Sequence, residues 1–377
     1  MRVGILTWYK ALNHGAVLQT YASCQMIKEC KCSPIVLDYK WNLDIEEKSN
    51  QLSVFFNRIK HLNPSKLAWY LKVRKNMIEK QCLFDEFIKA DLPIGKLYDE
   101  EDGLDAVYIG SDMVFDITEG YNGRKAFRYA LYLVYFLWMS GKSKYIFSYA
   151  ASFGYTTKEQ LNNYENKETI INSVRNLKSI GYRDYNTFEI CKSIAPSVPM
   201  TENIDPVLCY GFEKEIDEWD TGKWKNKKYI LIYAYDSTMN DKETVKQIKK
   251  IAHDKGLKII SCGYYHKWCD EVVCASPKEF VEMIKYSTFI ITDTFHGTVF
   301  SLIMHKNFAS IIRKNGFKLR YLLECSGMKN RIVNKDIDLI LNDTPKYENF
   351  DNWIMKEREK SLKFIKDNLE SCARGEV

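Results

Sequence analysis

From Phe289 to Leu302 the chain reads Phe-Ile-Ile-Thr-Asp-Thr-Phe-His-Gly-Thr-Val-Phe-Ser-Leu. Phe289 to Ile291 is a short apolar run of the kind that forms a buried strand. Thr292, Asp293 and Thr294 stop it, and Gly297-Thr298 opens an apolar segment compatible with a helix. This strand, polar tip and helix start is the signature of an open parallel sheet, which binds ligands at the carboxyl ends of its strands. A helix start also offers unpaired N–H groups and partial positive charge to an anion. His296 sits at that tip and is the side-chain type best suited to move a proton near neutral pH.

The same pattern recurs along the chain. Val3 to Thr7 is a strand, Ala16 to Glu29 a helix with Val17, Tyr21, Cys24 and Ile27 on one face, and Ile35 to Tyr39 a second strand. That βαβ opening implies a parallel sheet. Asn13-His14-Gly15 stands at its tip, either touching a ligand or forming a glycine turn capped by Asn13. Asp105 to Ile109 is a strand ending in Gly110-Ser111-Asp112, and Asp112 either takes a hydroxyl proton or caps the turn. Lys144 to Ala150 is followed by small residues through Gly154. Residues 158–176 read as one helix. Ser179 to Tyr182 ends in Arg183-Asp184, where the arginine is either a fork for an anion or a surface ion pair. Residues 185–194 form a helix, and Asp205-Pro206 marks a break.

The pattern then restarts. Lys228 to Tyr233, Leu257 to Ser261, Phe289 to Ile291 and Phe308 to Ile312 read as strands. Asp241 to Lys255 and the segment from Pro277 to Tyr286 read as helices, and residues 350–372 as a long charged one. The expected fold is α/β, with two Rossmann-like domains facing a cleft. The expected limits are an N-terminal domain at 1–205, a C-terminal domain at 206–349, and a helix at 350–377 packing back across both.

Residues 52–90 stand apart as a helical insertion, broken at Asn63-Pro64. From Phe55 to Lys80 it carries seven Lys or Arg against one acid, interleaved with Phe55, Phe56, Leu62, Leu67, Trp69, Tyr70 and Leu71. Such a stretch either lies on an anionic membrane surface or is a helical hairpin with a solvated charged face. The net charge of +6 is too small to argue for nucleic acid and accompanies no nucleic-acid motif. Met1-Arg2 leads straight into a strand without a cleavage pattern. The longest uncharged apolar run, Tyr129 to Met139, falls short of the ~20 residues of a membrane helix. The cytoplasm is the expected compartment, with a peripheral position on the inner face of the membrane as its extension. Eleven scattered cysteines fit a reducing compartment. Cys262, His266, Cys269 and Cys274 form a loose cluster without a Cys-x-x-Cys pair, and no metal site is assigned.

Taken in order, Asn13-His14-Gly15-Ala16-Val17-Leu18-Gln19, Gly110-Ser111-Asp112, Ser148 to Gly154, Arg183-Asp184, Asp205-Pro206 and Thr292 to Thr298 resemble the polysaccharide pyruvyl transferase family over nearly the whole chain. The resemblance implies a GT-B-like pair of Rossmann-like domains. It implies transfer of pyruvate from phosphoenolpyruvate to two hydroxyls of a sugar, giving a cyclic ketal, with no required cofactor. The acceptor would be a capsule or exopolysaccharide precursor, such as an undecaprenyl-diphosphate-linked oligosaccharide. The family histidine maps onto His296 and a family arginine onto Arg183. His296 and Asp112 are the candidate catalytic pair. Arg183, Thr294, Gly297, Thr298, Lys318 and Arg320 are the donor-side candidates. Asn13, His14, Gly15, Ser111, Asp112 and Tyr149 are the acceptor-side candidates. Thr294 stands where many members carry Arg, and Met113-Val114-Phe115 where Gln-Val-Trp is usual. Two other readings of the same features are a nucleotide-sugar glycosyltransferase and a non-catalytic glycan-binding protein.

Overall fold

The computed structural model describes residues 1–38, 64–97, 100–118, 143, 145–235, 238–313, 316–333 and 336–375, without the side chains of 64–66 and 68–70. Phe55, Phe56 and Leu62 of the basic stretch, and most of 121–144, lie outside the described residues.

Strands β1 (Arg2–Leu6), β2 (Ser33–Asp38), β3 (Ile94–Leu97), β4 (Ala106–Asp112), β5 (Tyr145–Ala151), β6 (Ser179–Tyr182) and β7 (Met200–Glu202) form one parallel sheet in the order 3-2-1-4-5-6-7. Strands β8 (Tyr229–Tyr233), β9 (Lys258–Cys262), β10 (Glu271–Val273), β11 (Phe289–Thr292) and β12 (Phe308–Ser310) form a second, in the order 10-9-8-11-12. The central strands are apolar because helices cover both faces: every residue of β5, β8 and β11 is buried. The strand order reverses between β1 and β4 in one sheet and between β8 and β11 in the other. These two switch points are where a doubly wound sheet opens a crevice.

Local chemistry sets the helix limits. Asp184 caps the helix Tyr185–Ile194 by accepting from Thr187 N–H at 2.9 Å. Ser276 caps Pro277–Tyr286, and Pro277 costs nothing at the first helical position. The stretch expected as one helix over 158–176 divides into Lys158–Asn162, closed by a Thr157/Gln160 capping box, and Lys167–Arg175. The last helix, Glu348–Ala373, returns to the first sheet. There Asn368 Oδ1 accepts from Ser179 Oγ at 2.6 Å, and Ser361 Oγ accepts from Ile204 N–H at 3.2 Å.

The basic insertion supplies one long helix, Pro64–Asp91, that reaches the second sheet's helices. Lys80 Nζ donates to Gly263 O at 2.8 Å and Lys278 pairs with Asp91 at 2.7 Å. No helix among the described residues is long and apolar enough to cross a membrane. The loose Cys/His cluster is committed elsewhere. His266 Nε2 donates to Ala234 O, Cys274 Sγ donates to Asn76 O, and Cys262 is fully buried. Among the described residues, no group of three or more His, Cys, Asp or Glu side chains could hold a metal ion.

Candidate active site at two facing switch points

The tip after β11 is built by threonines. Thr292 Oγ1 donates to Tyr233 O at 2.6 Å and Thr294 Oγ1 accepts the Gly297 N–H at 2.9 Å, which starts the helix Phe295–Ile303. Thr298 N–H bonds Thr294 O, and its hydroxyl meets Ser310 Oγ at 2.7 Å. Thr294, Gly297 and Thr298 are therefore spent on the cap. This corrects the sequence expectation that they bind the donor. By helix geometry the N–H groups left for an anion are those of Phe295 and His296.

The two tips meet at Gly15 and His296. A Cβ at Gly15 would lie 2.1 Å from His296 Nδ1, so only glycine allows the approach. Asn13 serves as a cap, its Oδ1 accepting the Gly15 N–H at 2.9 Å. His296 is buried, and its Nε2 has no hydrogen-bond partner; Asp205 Oδ2 stands 3.6 Å away. Asp205 also binds Arg183 Nη1 at 3.0 Å, and Arg183 Nη2 binds Asp112 at 2.7 Å. Lys318 Nζ lies 3.6 Å from the same Asp112 oxygen. The result is a chain of alternating charge, Asp205, Arg183, Asp112 and Lys318, with His296 at its Asp205 end.

The charges tune one another. Burial alone would raise the Asp112 carboxyl, but Arg183 and Lys318 outweigh it and hold it well below the usual carboxylate range. Such a carboxylate is a weak base, so the expected base role of Asp112 does not fit its surroundings. Asp205 is also lowered: burial opposes ionisation, and His296 and Arg183 overcome it. Burial and the Arg183 guanidinium push the Lys318 ammonium down to about 8.

Four more expected site residues fall elsewhere. Tyr149 is fully buried inside β5 with its ring stacked on Tyr108. Ser111 is buried and its Oγ donates to Ala150 O. His14 faces the domain contact instead of the cleft, with Nε2 2.9 Å from Ala275 O and its ring between Phe84 and Phe280. Arg320 is exposed on the helix Phe317–Cys325. It lies two residues past Lys318, about 200° around the axis.

Sequence reasoning did not name Asp205 as a site residue: it read Asp205-Pro206 as a break and as one of the motifs of the family resemblance, with no role assigned. Asp205 is a helix cap too, accepting from Val207 N–H, which hid its second task. Sequence reasoning also missed Asp293 and Arg313. Arg313 stacks over Tyr235 at 4.2 Å and lies 3.3 Å from Asp293, whose carboxyl is raised by burial. A cavity of about 150 Å³ opens beside the charged chain, lined by Arg183, Asn203, Asp205, Phe295, Lys318 and Trp353 among others.

The polysaccharide pyruvyl transferase family matches residues 13–315, a span that begins at the first tip and ends past the second. The chain belongs to that family. As a member of the pyruvyl transferase family it is a transferase, and its two parallel sheets form a GT-B-like fold. No curated protein matches it in sequence. Among solved structures it is similar to a protein described as a UDP-N-acetylglucosamine 2-epimerase from Listeria monocytogenes, at 8% identity and TM-score 0.51, over 98% of this chain and 97% of that one. UDP-GlcNAc 2-epimerases from Methanocaldococcus jannaschii (11% identity, TM-score 0.48, 97% and 98% covered) and Neisseria meningitidis (10%, 0.46, 98% and 100%) are more distant in shape. At such identities the likeness concerns fold alone.

Proposed function

We propose that this pyruvyl transferase moves pyruvate from phosphoenolpyruvate onto two hydroxyls of one sugar. The donor's methylene carbon takes a proton, which makes C2 electrophilic. One hydroxyl oxygen bonds to C2, phosphate leaves with the C–O electron pair, and a second hydroxyl closes the ketal. The hydroxyl protons pass to the departing phosphate, itself a base, and to solvent. The observation that carries this reading is His296: buried where both switch points meet, its Nε2 without a hydrogen-bond partner, and 3.6 Å from Asp205, which in turn holds Arg183.

In this reading His296 either delivers the proton or holds the phosphate, and Asp205 orients its ring. Lys318, Arg183 and the Phe295 and His296 N–H groups hold the donor's anionic groups. Asp112, an ionised carboxylate on Arg183, fixes that guanidinium. The acceptor in this reading is a lipid-linked capsule or exopolysaccharide precursor at the inner face of the cytoplasmic membrane. Support comes from the helix Pro64–Asp91, which exposes Leu71, Met77 and Ile78 beside Lys72, Arg74 and Lys75.

The test is incubation with phosphoenolpyruvate and lipid-linked galactose, mannosamine and glucose acceptors, read by mass. A gain of one pyruvate less one water, with equimolar phosphate, is the expected result. Phosphate release without ketal, or neither, sinks the reading.

A further inference from the structure

Asn203 lines the cavity and takes no part in the charged chain. It is 1% exposed, yet neither Oδ1 nor Nδ2 has a hydrogen-bond partner. Leaving a buried amide unpaired forfeits its bonds to water without replacement, so buried polar groups are nearly always paired. Its backbone is fixed on both sides. Its own N–H donates to Tyr182 O at 2.8 Å, and Ile204 N–H donates to Ser361 Oγ. Gly181 makes the room: a Cβ there would lie 2.2 Å from Asn203 Oδ1. The chain thus holds a rigid backbone and an unpaired amide whose oxygen sits in the space Gly181 leaves, at the wall of a cavity.

The surroundings indicate what the amide meets. The lining carries four carboxylates, Asp184, Glu202, Asp205 and Glu357, against two cations, Arg183 and Lys318. Both terminal guanidinium nitrogens of Arg183 already bind carboxylates. Away from the Lys318 and Phe295 side, where the donor's anionic groups are placed, that excess of carboxylates suits a neutral polyol, whose hydroxyls donate to them. Trp353 and Tyr321 line the same space, and aromatic faces cover the C–H faces of sugars. An amide supplies one acceptor oxygen and two donor hydrogens in one plane, a match for a pair of neighbouring hydroxyls.

We propose that Asn203 is a hydroxyl-binding residue of a glycan subsite in this cavity, with Trp353 as its stacking wall. The proposal rests on the pyruvyl-transfer reading only in naming the glycan as the acceptor. It places the acceptor between the end of β7, the helix Phe317–Cys325 and the last helix.

The full chain and Asn203→Ala are titrated with the methyl glycosides of galactose, glucose and N-acetylmannosamine by saturation-transfer NMR, and separately with phosphoenolpyruvate. At least one glycoside binds the wild type, and Asn203→Ala weakens it tenfold or more while changing phosphoenolpyruvate affinity less than twofold. The unliganded variant melts at or above the wild-type temperature, because it loses only unpaired polar atoms. A framework role predicts the opposite. A variant that melts lower or fails to fold, one that binds the glycoside as well as wild type, one that loses phosphoenolpyruvate instead, or a wild type that binds none of the three overturns the proposal. If the glycoside binds through Asn203 but no lipid-linked acceptor is pyruvylated, the subsite stands and pyruvyl transfer fails.

Discussion

Gly15 and His296 open helices that follow strands of different sheets and stand in direct contact: a methyl group on the glycine would overlap the imidazole. Each follows the strand at its own sheet's switch point, β1 for Gly15 and β11 for His296. A doubly wound sheet binds ligands at such a point because flanking loops part there. Here two of them close on one another, so the groups that could act on a ligand come from both halves.

Gly15→Ala should therefore strike the imidazole without touching either core. We expect turnover to fall by about 10²-fold or more, the scale of a 1 Å misplacement of a reacting group. Urea unfolding should shift by no more than the roughly 1–3 kcal/mol of local overpacking. Near wild-type turnover would show that the His296 position does not control the reaction.

His14 sets the other side of that contact. Burial, with Lys80 adding to it, pushes its imidazole down to about 3 from 6.5. A carbonyl can only accept, so the neutral ring donates Nε2–H to Ala275 O. The sign follows: between pH 6.5 and 3 the unfolded chain binds a proton at this residue and the folded chain does not. Its stabilising contribution is complete above 6.5 and declines as pH falls, by about 1.4 kcal/mol per unit at most. His14→Gln should be less stable than wild type at pH 7, and its stability should fall less steeply over pH 6 to 4. Parallel curves in chemical denaturation would refute the assignment.

The residues that were legible in the sequence announce themselves locally. Ser276-Pro277 and Asp184 fix two helices at the expected residues because a cap is a short-range event. His296 and Arg183 follow apolar runs and end at the cavity or beside it. What failed depends on partners far along the chain. The edge strands β3, β7 and β10 are three or four residues with mixed burial, too short for a periodic signal. Tyr149 lies near the end of its expected strand, but its ring packs on Tyr108 of the neighbouring strand, a partner distant in the sequence. Asn203 carries no charge and sits in no motif. Only the absence of partners in three dimensions marks it.

Lys318 gives the donor side a pH signature. With its ammonium pushed down to about 8, it is charged below that pH and neutral above. If it holds the donor's anion, kcat/KM for phosphoenolpyruvate should fall as pH rises through about 8, since that ratio reports the free enzyme. Lys318→Arg keeps its charge at every accessible pH and should move the fall upward by a unit or more. An unmoved profile would place the titrating group elsewhere.

Asp205 and Asp112 both hold Arg183, yet their removal should differ. Asp205 has a fully buried side chain and faces His296 as well, so Asp205→Asn leaves Arg183 short of a buried counter-charge and His296 without its carboxylate neighbour while keeping an oxygen for the Val207 cap. Breaking a buried pair in this way costs about 3–5 kcal/mol. Asp112 keeps 31% of its side chain in solvent, and Arg183 retains Asp205 when it is lost. A pair open to water is worth about 1 kcal/mol or less, so Asp112→Asn should cost little stability. Urea denaturation of the two variants at pH 7 reads the contrast directly. Equal losses would mean that the two carboxylates share the guanidinium evenly, and that Asp205 has no separate hold on His296.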